Sequence, residues 1–247
     1  MKLNLEKINK WIIFTPYFWL VLFFFIPLAL IFKISISVAE WGMPPYQDIF
    51  IWENGFRINV TLENYLFILK DSYYLVSFIN SIKLALLSTI LCIIIGYPIA
   101  YYIATSTFKV RNILLILIIV PFWSSFLLRV YAWKVILQGN GLINILLLKI
   151  GIIETPLQLL YNQYAVLIGV VYTYIPLMIL PLYGYLAKFD LTLIDASYDL
   201  GSNKISTLFK VILPLSIPGI LAGSLLVFIP VVGEFIIPEM LGGSDKL

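Results

Sequence analysis

The side chains that most often carry enzyme chemistry are nearly missing from this sequence. It has no histidine and a single cysteine, Cys92, so a Cys/His zinc site, an intramolecular disulfide and a Ser-His-Asp triad are all excluded. No Gly-x4-Gly-Lys-Ser/Thr stretch is present to cradle a nucleotide's phosphates. What remains able to act is one polar stretch, Lys188 to Lys210. Within it Asp190 or Thr192 can cap a first short helix, and Gly201 can end that helix in a left-handed conformation. Ser202 or Asn203 can cap a second helix that runs into Pro214. Leu191, Ile194 and Tyr198 give the first helix an apolar side, and Ile205, Leu208 and Phe209 do so for the second. The chemistry open to such a surface is docking, either into a groove on a partner or onto lipid headgroups.

Membrane spans must hold this stretch in place. Of the 247 residues 62% are hydrophobic and 12% charged, with a mean hydropathy of +1.01, which no water-soluble fold matches. A membrane helix needs about 20 mostly apolar residues, because every backbone N–H and C=O must pair inside the segment. Five stretches qualify: 11–32, 78–104, 113–137, 164–187 and 211–231. The first is too long for a secretory apolar region, so it reads as a retained span. The chain therefore reads as all-α, a single polytopic helical bundle over 1–247, with one sizeable outer loop at 33–77. Leu142 to Ile150 is too short to span and is expected as an external surface helix.

Orientation follows from basic residues in the connections. Segments 1–10, 105–112 and 188–210 carry Lys2, Lys7, Lys10, Lys109, Arg111, Lys188, Lys204 and Lys210. The longer set 33–77, 138–163 and 232–247 carries only Lys33, Arg57, Lys70, Lys149 and Lys246. The first set is expected inside, which puts the N-terminus and 188–210 in the cytoplasm and leaves the polar end Gly242-Gly243-Ser244-Asp245-Lys246 outside. The net charge of +3 is small and spread along the chain, so no nucleic-acid surface is expected.

The run Asp195-Ala196-Ser197, then Gly201, then Val211-Ile212-Leu213-Pro214 resembles the EAA loop of ABC importer permeases, E-A-A-x3-G-x9-I-x-L-P. Spacing is kept throughout, with Asp195 for Glu, Ser197 for the second Ala and Val211 for Ile. The resemblance implies a type I ABC importer permease fold and makes Asp195, Ala196, Ser197, Gly201, Leu213 and Pro214 the ATPase-coupling residues. Pro121 to Trp133 and Phe228 to Gly243 further resemble spermidine/putrescine importer permeases, a similarity that runs from about Trp11 onward. That family has six spans, and this sequence reads as lacking the last. The resemblance implies a multi-pass protein of the bacterial inner membrane, without catalysis or a bound cofactor of its own. ATP and Mg would be used by a cytoplasmic ATPase dimer. A second, different permease chain would complete the pore, and an external substrate-binding protein would dock on 33–77 and 138–163.

Polyamines are flexible polycations, so a pathway for them needs carboxylates or ring faces that replace water around each ammonium. Glu234 and Glu239, at the outer end of the fifth span, are the candidate carboxylates, and Trp123 and Tyr131 the candidate rings. Trp133 reads more simply as part of an interfacial aromatic belt, and Trp123, placed deeper, as protein-facing. Lys83, Arg129 and Lys134 lie within spans, where an unpaired charge costs at least about 2.5 kcal/mol near the centre. Lys83 and Lys134 can snorkel, and Arg129 is expected to pair with a structural partner such as Glu234. If these cations face the pathway instead, an anion or metal chelate becomes the substrate. A non-transporting assembly or receptor subunit is the rival of another class. Pro176, Pro181, Pro214, Pro218 and Pro230 can kink the last two spans.

Overall fold

The computed structural model describes residues 5–51, 57–190 and 192–243, with side chains from Ile12 onward except those of Phe50, Ile51 and Arg57. Leu191, Lys2 and the run Ser244-Asp245-Lys246 lie outside the described residues, as do the side chains of Lys7 and Lys10. The chain divides into two compact units, Met1–Val76 and Ser77–Leu247.

The first unit is a long apolar rod followed by a small folded loop. Helix α1 (Leu5–Leu20), a π-helical turn (Val21–Phe25) and α2 (Ile26–Ser35) run on from one another, and Ile12–Ser35 is long and apolar enough to cross a membrane. The expected outer loop is not irregular. Strand β1 (Phe50–Ile51) pairs antiparallel with β2 (Arg57–Ile58), with Phe50 opposite Ile58, and α3 (Glu63–Lys70) follows. Asn64 Nδ2 donates to the carbonyls of Ser35 (3.0 Å) and Ser37 (2.9 Å), and Lys33 Nζ meets Asp48 Oδ1 at 2.9 Å. These bonds tie the loop back to the end of α2.

The second unit holds the remaining spans. Helix α4 (Ser72–Thr105) begins in the first unit and is continuous over 34 residues in spite of Pro98. Helices α5 (Phe108–Trp123), α6 (Phe126–Leu137), α7 (Leu142–Ile150) and α8 (Gln163–Leu186) follow. The expected surface helix at 142–150 thus forms with those limits, closed by Gly151 at φ +78°. Helices α4 and α8 cover the second and fourth predicted spans, and Pro176 and Pro181 leave α8 unbroken.

Two predicted spans differ in shape. The stretch 113–137 is not one straight helix: α5 and α6 part at Ser124 and Ser125, and the helical segments on either side are bent by 93°. Pro121 lacks the N–H that helix continuation needs, Ser124 Oγ donates to the Pro121 carbonyl at 2.6 Å, and neither serine has helical backbone angles. The fifth span is entered from the loop helices α9 (Thr192–Asp199) and α10 (Lys204–Thr207) through a π-helical turn (Leu208–Ile212) and α11 (Leu213–Leu215). It turns by 65° at Ser216 into α12 (Ile217–Val232). The turn lies between Pro214 and Pro218, as proline chemistry leads one to expect. Among the described residues three helices and two bent pairs make up to five crossings.

Close contact of α8 with α12 organises the unit. A Cβ on Gly223 would lie 2.7 Å from Met178 Sδ and 3.0 Å from the Met178 carbonyl, and one on Gly219 2.9 Å from Tyr185 Cβ. Two glycines one turn apart let the backbones approach, the arrangement that stabilises helix pairs where lipid offers no hydrophobic gain. Gly223→Leu should overpack this contact by about 1–3 kcal/mol and lower the detergent melting temperature and membrane level of the subunit. Gly184→Ala, where an added Cβ meets nothing within 4 Å, should leave both unchanged. Equal behaviour of the two variants would remove the close-approach argument.

Candidate functional site

The polar loop between α8 and α12 is a self-contained pair of short helices. Asp190 Oδ1 accepts the Thr192 N–H at 3.0 Å and starts α9, and that bond holds the Asp190 carboxyl below its usual range. At the other end Ser202 N–H donates to Ser197 O and Gly201 N–H to Tyr198 O, with Gly201 at φ +82°. This is a Schellman close. Asn203 Oδ1 then accepts the Ser206 N–H at 2.8 Å, so Asn203, not Ser202, caps the second helix.

A buried bond joins the two helices. Ser197 Oγ and Thr207 Oγ1 lie 2.8 Å apart, and neither residue is exposed. Ser197 therefore turns inward, while Asp195 and Ala196 face outward. Ile194 and Leu208 pack against the buried cluster formed by Tyr97, Ala100, Ile103, Leu182, Leu186 and Ile212. The expected apolar sides are thus divided: Ile194 and Leu208 anchor the loop, while Tyr198, Ile205 (70% exposed) and Phe209 remain outside. Leu193 and Leu200, the latter 88% exposed, join this outward surface. Sequence reading missed them, although their place beside Asp195 and Gly201 was available as a signal. Leu213 is half-buried on the same cluster and Pro214 exposed.

At the opposite end of α12 the candidate carboxylates differ sharply. Glu234 accepts three hydrogen bonds: Oε2 takes one from the Tyr174 hydroxyl at 2.5 Å, and Oε1 takes those of the N–H groups of Ile236 (3.0 Å) and Ile237 (3.3 Å). It is a cap for the segment that follows, in which a π-helical turn (Pro238–Gly242) folds back against α8. Ile237 and Leu241 there are fully buried, and Leu241 O accepts the Tyr161 N–H at 2.9 Å. Glu239, by contrast, is exposed.

The expected pairing of Arg129 with Glu234 does not occur, because Glu234 spends its oxygens on Tyr174 and the backbone. Among the described residues Arg129, 9% exposed, has no ion pair; its guanidinium lies 5.3 Å from the Phe122 ring and its Nε is buried without a partner. Trp123 is also corrected. It is 83% exposed, because the chain breaks immediately after it. Tyr131 is exposed under Lys134, whose Nζ is 6.0 Å from its ring, and Trp133 packs edge-on to Tyr172 at 5.4 Å. Lys83 is exposed. Nothing brings Trp123, Tyr131, Glu234 and Glu239 into one cluster.

If Glu234 is a cap, Glu234→Ala should loosen residues 235–242. A cysteine at Leu241, unreactive to a thiol reagent in the otherwise native chain, should then react at least about tenfold faster, since three donors lose their acceptor at about 1 kcal/mol or more each. Glu234→Gln, which keeps an acceptor for the two N–H groups, should leave it protected. Protection in both variants would contradict the cap.

With this geometry in place, three likenesses identify the chain. The family model described as "Binding-protein-dependent transport system inner membrane component" matches residues 93–247. The spermidine/putrescine transport system permease protein PotB of Escherichia coli (strain K12) is 38% identical over 93% of this chain and 79% of its own length. Its counterpart in Haemophilus influenzae (strain ATCC 51907 / DSM 11121 / KW20 / Rd) is 37% identical over 100% and 82%. Among solved structures, a bacterial ABC transporter involved in the import of the acidic polysaccharide alginate superposes with a TM-score of 0.58 at 19% identity, over 94% of this chain and 73% of that one. That likeness concerns the fold alone, which is the ABC importer permease fold anticipated from the loop. The chain belongs to the family of inner-membrane components of binding-protein-dependent transport systems.

Proposed function

We propose that this chain is the membrane subunit of an ATP-driven importer for spermidine and putrescine. The observation that carries the reading is the identity of 37–38% to polyamine permeases over nearly the whole chain. The loop geometry supports the drive. A rigid pair of short helices, with Asp195, Ala196, Leu200 and Ile205 outward, offers a carboxylate among apolar side chains to a cleft in a cytoplasmic ATPase dimer, which would use ATP and Mg. Nucleotide-driven movement of that dimer would pass through Gly201 into α10 to α12, and the pathway would change the side to which it opens. The N-terminus would lie in the cytoplasm, as the basic residues of the inner segments require. A second, different permease would form the other half of the pathway, and an external binding protein would deliver substrate.

For substrate recognition, Glu239 is the carboxylate with free oxygens, and Tyr131 and Trp123 present exposed faces suited to an ammonium. Glu234 would act on substrate only if transport breaks its bond to Tyr174. Arg129 supports a second reading, an anionic substrate, because its charge has no carboxylate partner among the described residues.

The test is uptake in cells carrying the complete importer. Labelled spermidine and putrescine should accumulate and sulfate should not; the reverse would overturn the substrate. Gly201→Val, which forces a β-branched residue into a left-handed conformation at about 1–2 kcal/mol or more, should lower both uptake and ATPase co-purification about tenfold. Full association of this variant would remove Gly201 from the coupling path.

A further inference from the structure

The 65° turn between α11 and α12 is made at one residue, Ser216 (φ −86°, ψ −2°), which is fully buried. Ser216 Oγ donates to Leu213 O at 2.8 Å, so its remaining capacity is as an acceptor. The Tyr97 hydroxyl fills it, 3.1 Å away, from the last third of α4 and 119 residues distant in sequence. Tyr97 is itself buried, and Ile212, on the loop side of the turn, packs in the same cluster. On the loop side the Ser197–Thr207 bond makes α9 and α10 one body, continuous with the π-helical turn and α11. The chain therefore has a stiff arm from Thr192 to Leu215, a single-residue joint at Ser216, and one side chain from another helix fastened to that joint.

We propose that Tyr97 and Ser216 form a latch at this joint, holding the bent resting arrangement so that movement of the loop is passed to α12 only when the ATPase supplies enough work to release it. Both are positioning residues, since neither is placed to touch nucleotide or substrate. The proposal rests on the coupling role given to the loop above, and it assigns to α4 the task of setting the threshold. Losing the latch frees the joint to change without a productive stroke. Hydrolysis then runs without substrate, and less substrate moves for each ATP spent.

The measurement uses the assembled importer, this chain with its ATPase, second permease and binding protein, in proteoliposomes. Two quantities are read: ATP hydrolysis without binding protein, and spermidine taken up per ATP hydrolysed. Tyr97→Phe removes only the hydroxyl. An interhelical hydrogen bond in a membrane corresponds to a factor of about 3 in an equilibrium. Tyr97→Phe should therefore raise the idle hydrolysis about threefold and lower uptake per ATP by a similar factor, with unchanged co-purification. Ser216→Ala, which also gives up the Ser216 Oγ bond to Leu213 O, should show at least this effect, and adding Tyr97→Phe to it should add nothing further, because the Tyr97–Ser216 bond is already gone. Wild-type values in an assembled Tyr97→Phe complex, or effects of the two substitutions that multiply, overturn the latch. If Tyr97→Phe fails to assemble, the Ser216→Ala complex decides by the same two readings. An importer that hydrolyses ATP but moves no spermidine refutes the substrate reading and still tests the latch through idle hydrolysis. If no ATPase joins the wild-type chain, both fall.

Discussion

The approach of α8 to α12 at Gly219 and Gly223 is the contact on which the other features depend. A side chain at Gly223 would meet the backbone of Met178, so only glycine lets the two helices sit this close. Their ends at Leu186 and Ile217 then lie at a fixed separation, and the loop joining them, Lys188 to Lys210 with its two short helices, inherits a fixed footing. Ile194 and Leu208 both pack on the cluster around Leu182 and Ile212. At the far end the same pair supports the returning segment, where Ile237 and Leu241 close over Gly169.

Each end of the pair divides polar groups between structure and exposure. In the loop, Ser197 is spent internally on Thr207 and Asp195 is left outside. Beyond α12, Glu234 is spent on Tyr174 and two backbone donors and Glu239 is left outside. The residues free to meet partners are thus next to residues that hold their backbone in place. A rigid support of this kind suits the roles proposed for Asp195 and Glu239, since a mobile group would lose the force or the geometry it is meant to pass on.

Local punctuation made much of this legible from sequence. Helix α7 has the limits read from its apolar run, and the loop helices end and begin at Gly201 and Asn203 because glycine's freedom and the Asn side chain act within a few residues. The 93° break was not legible, because residues 113–137 stay apolar through Ser124 and Ser125 and hydropathy reports composition, not direction. The roles of Glu234 and Tyr97 were hidden for another reason. Their partners lie 60 and 119 residues away, and no spacing rule reaches that far. Arg129 was read within a span and given a partner it does not have, since sequence shows which charges exist and not which groups they meet.

The account stands on the loop around Gly201 facing the cell interior. Cys92, the sole native cysteine, is buried, so a single cysteine introduced at the exposed Leu200 can be read without background. A membrane-impermeant maleimide should label Leu200→Cys in inside-out vesicles and not in intact spheroplasts, and addition of the ATPase should suppress the labelling. Labelling from outside in intact spheroplasts would contradict the account.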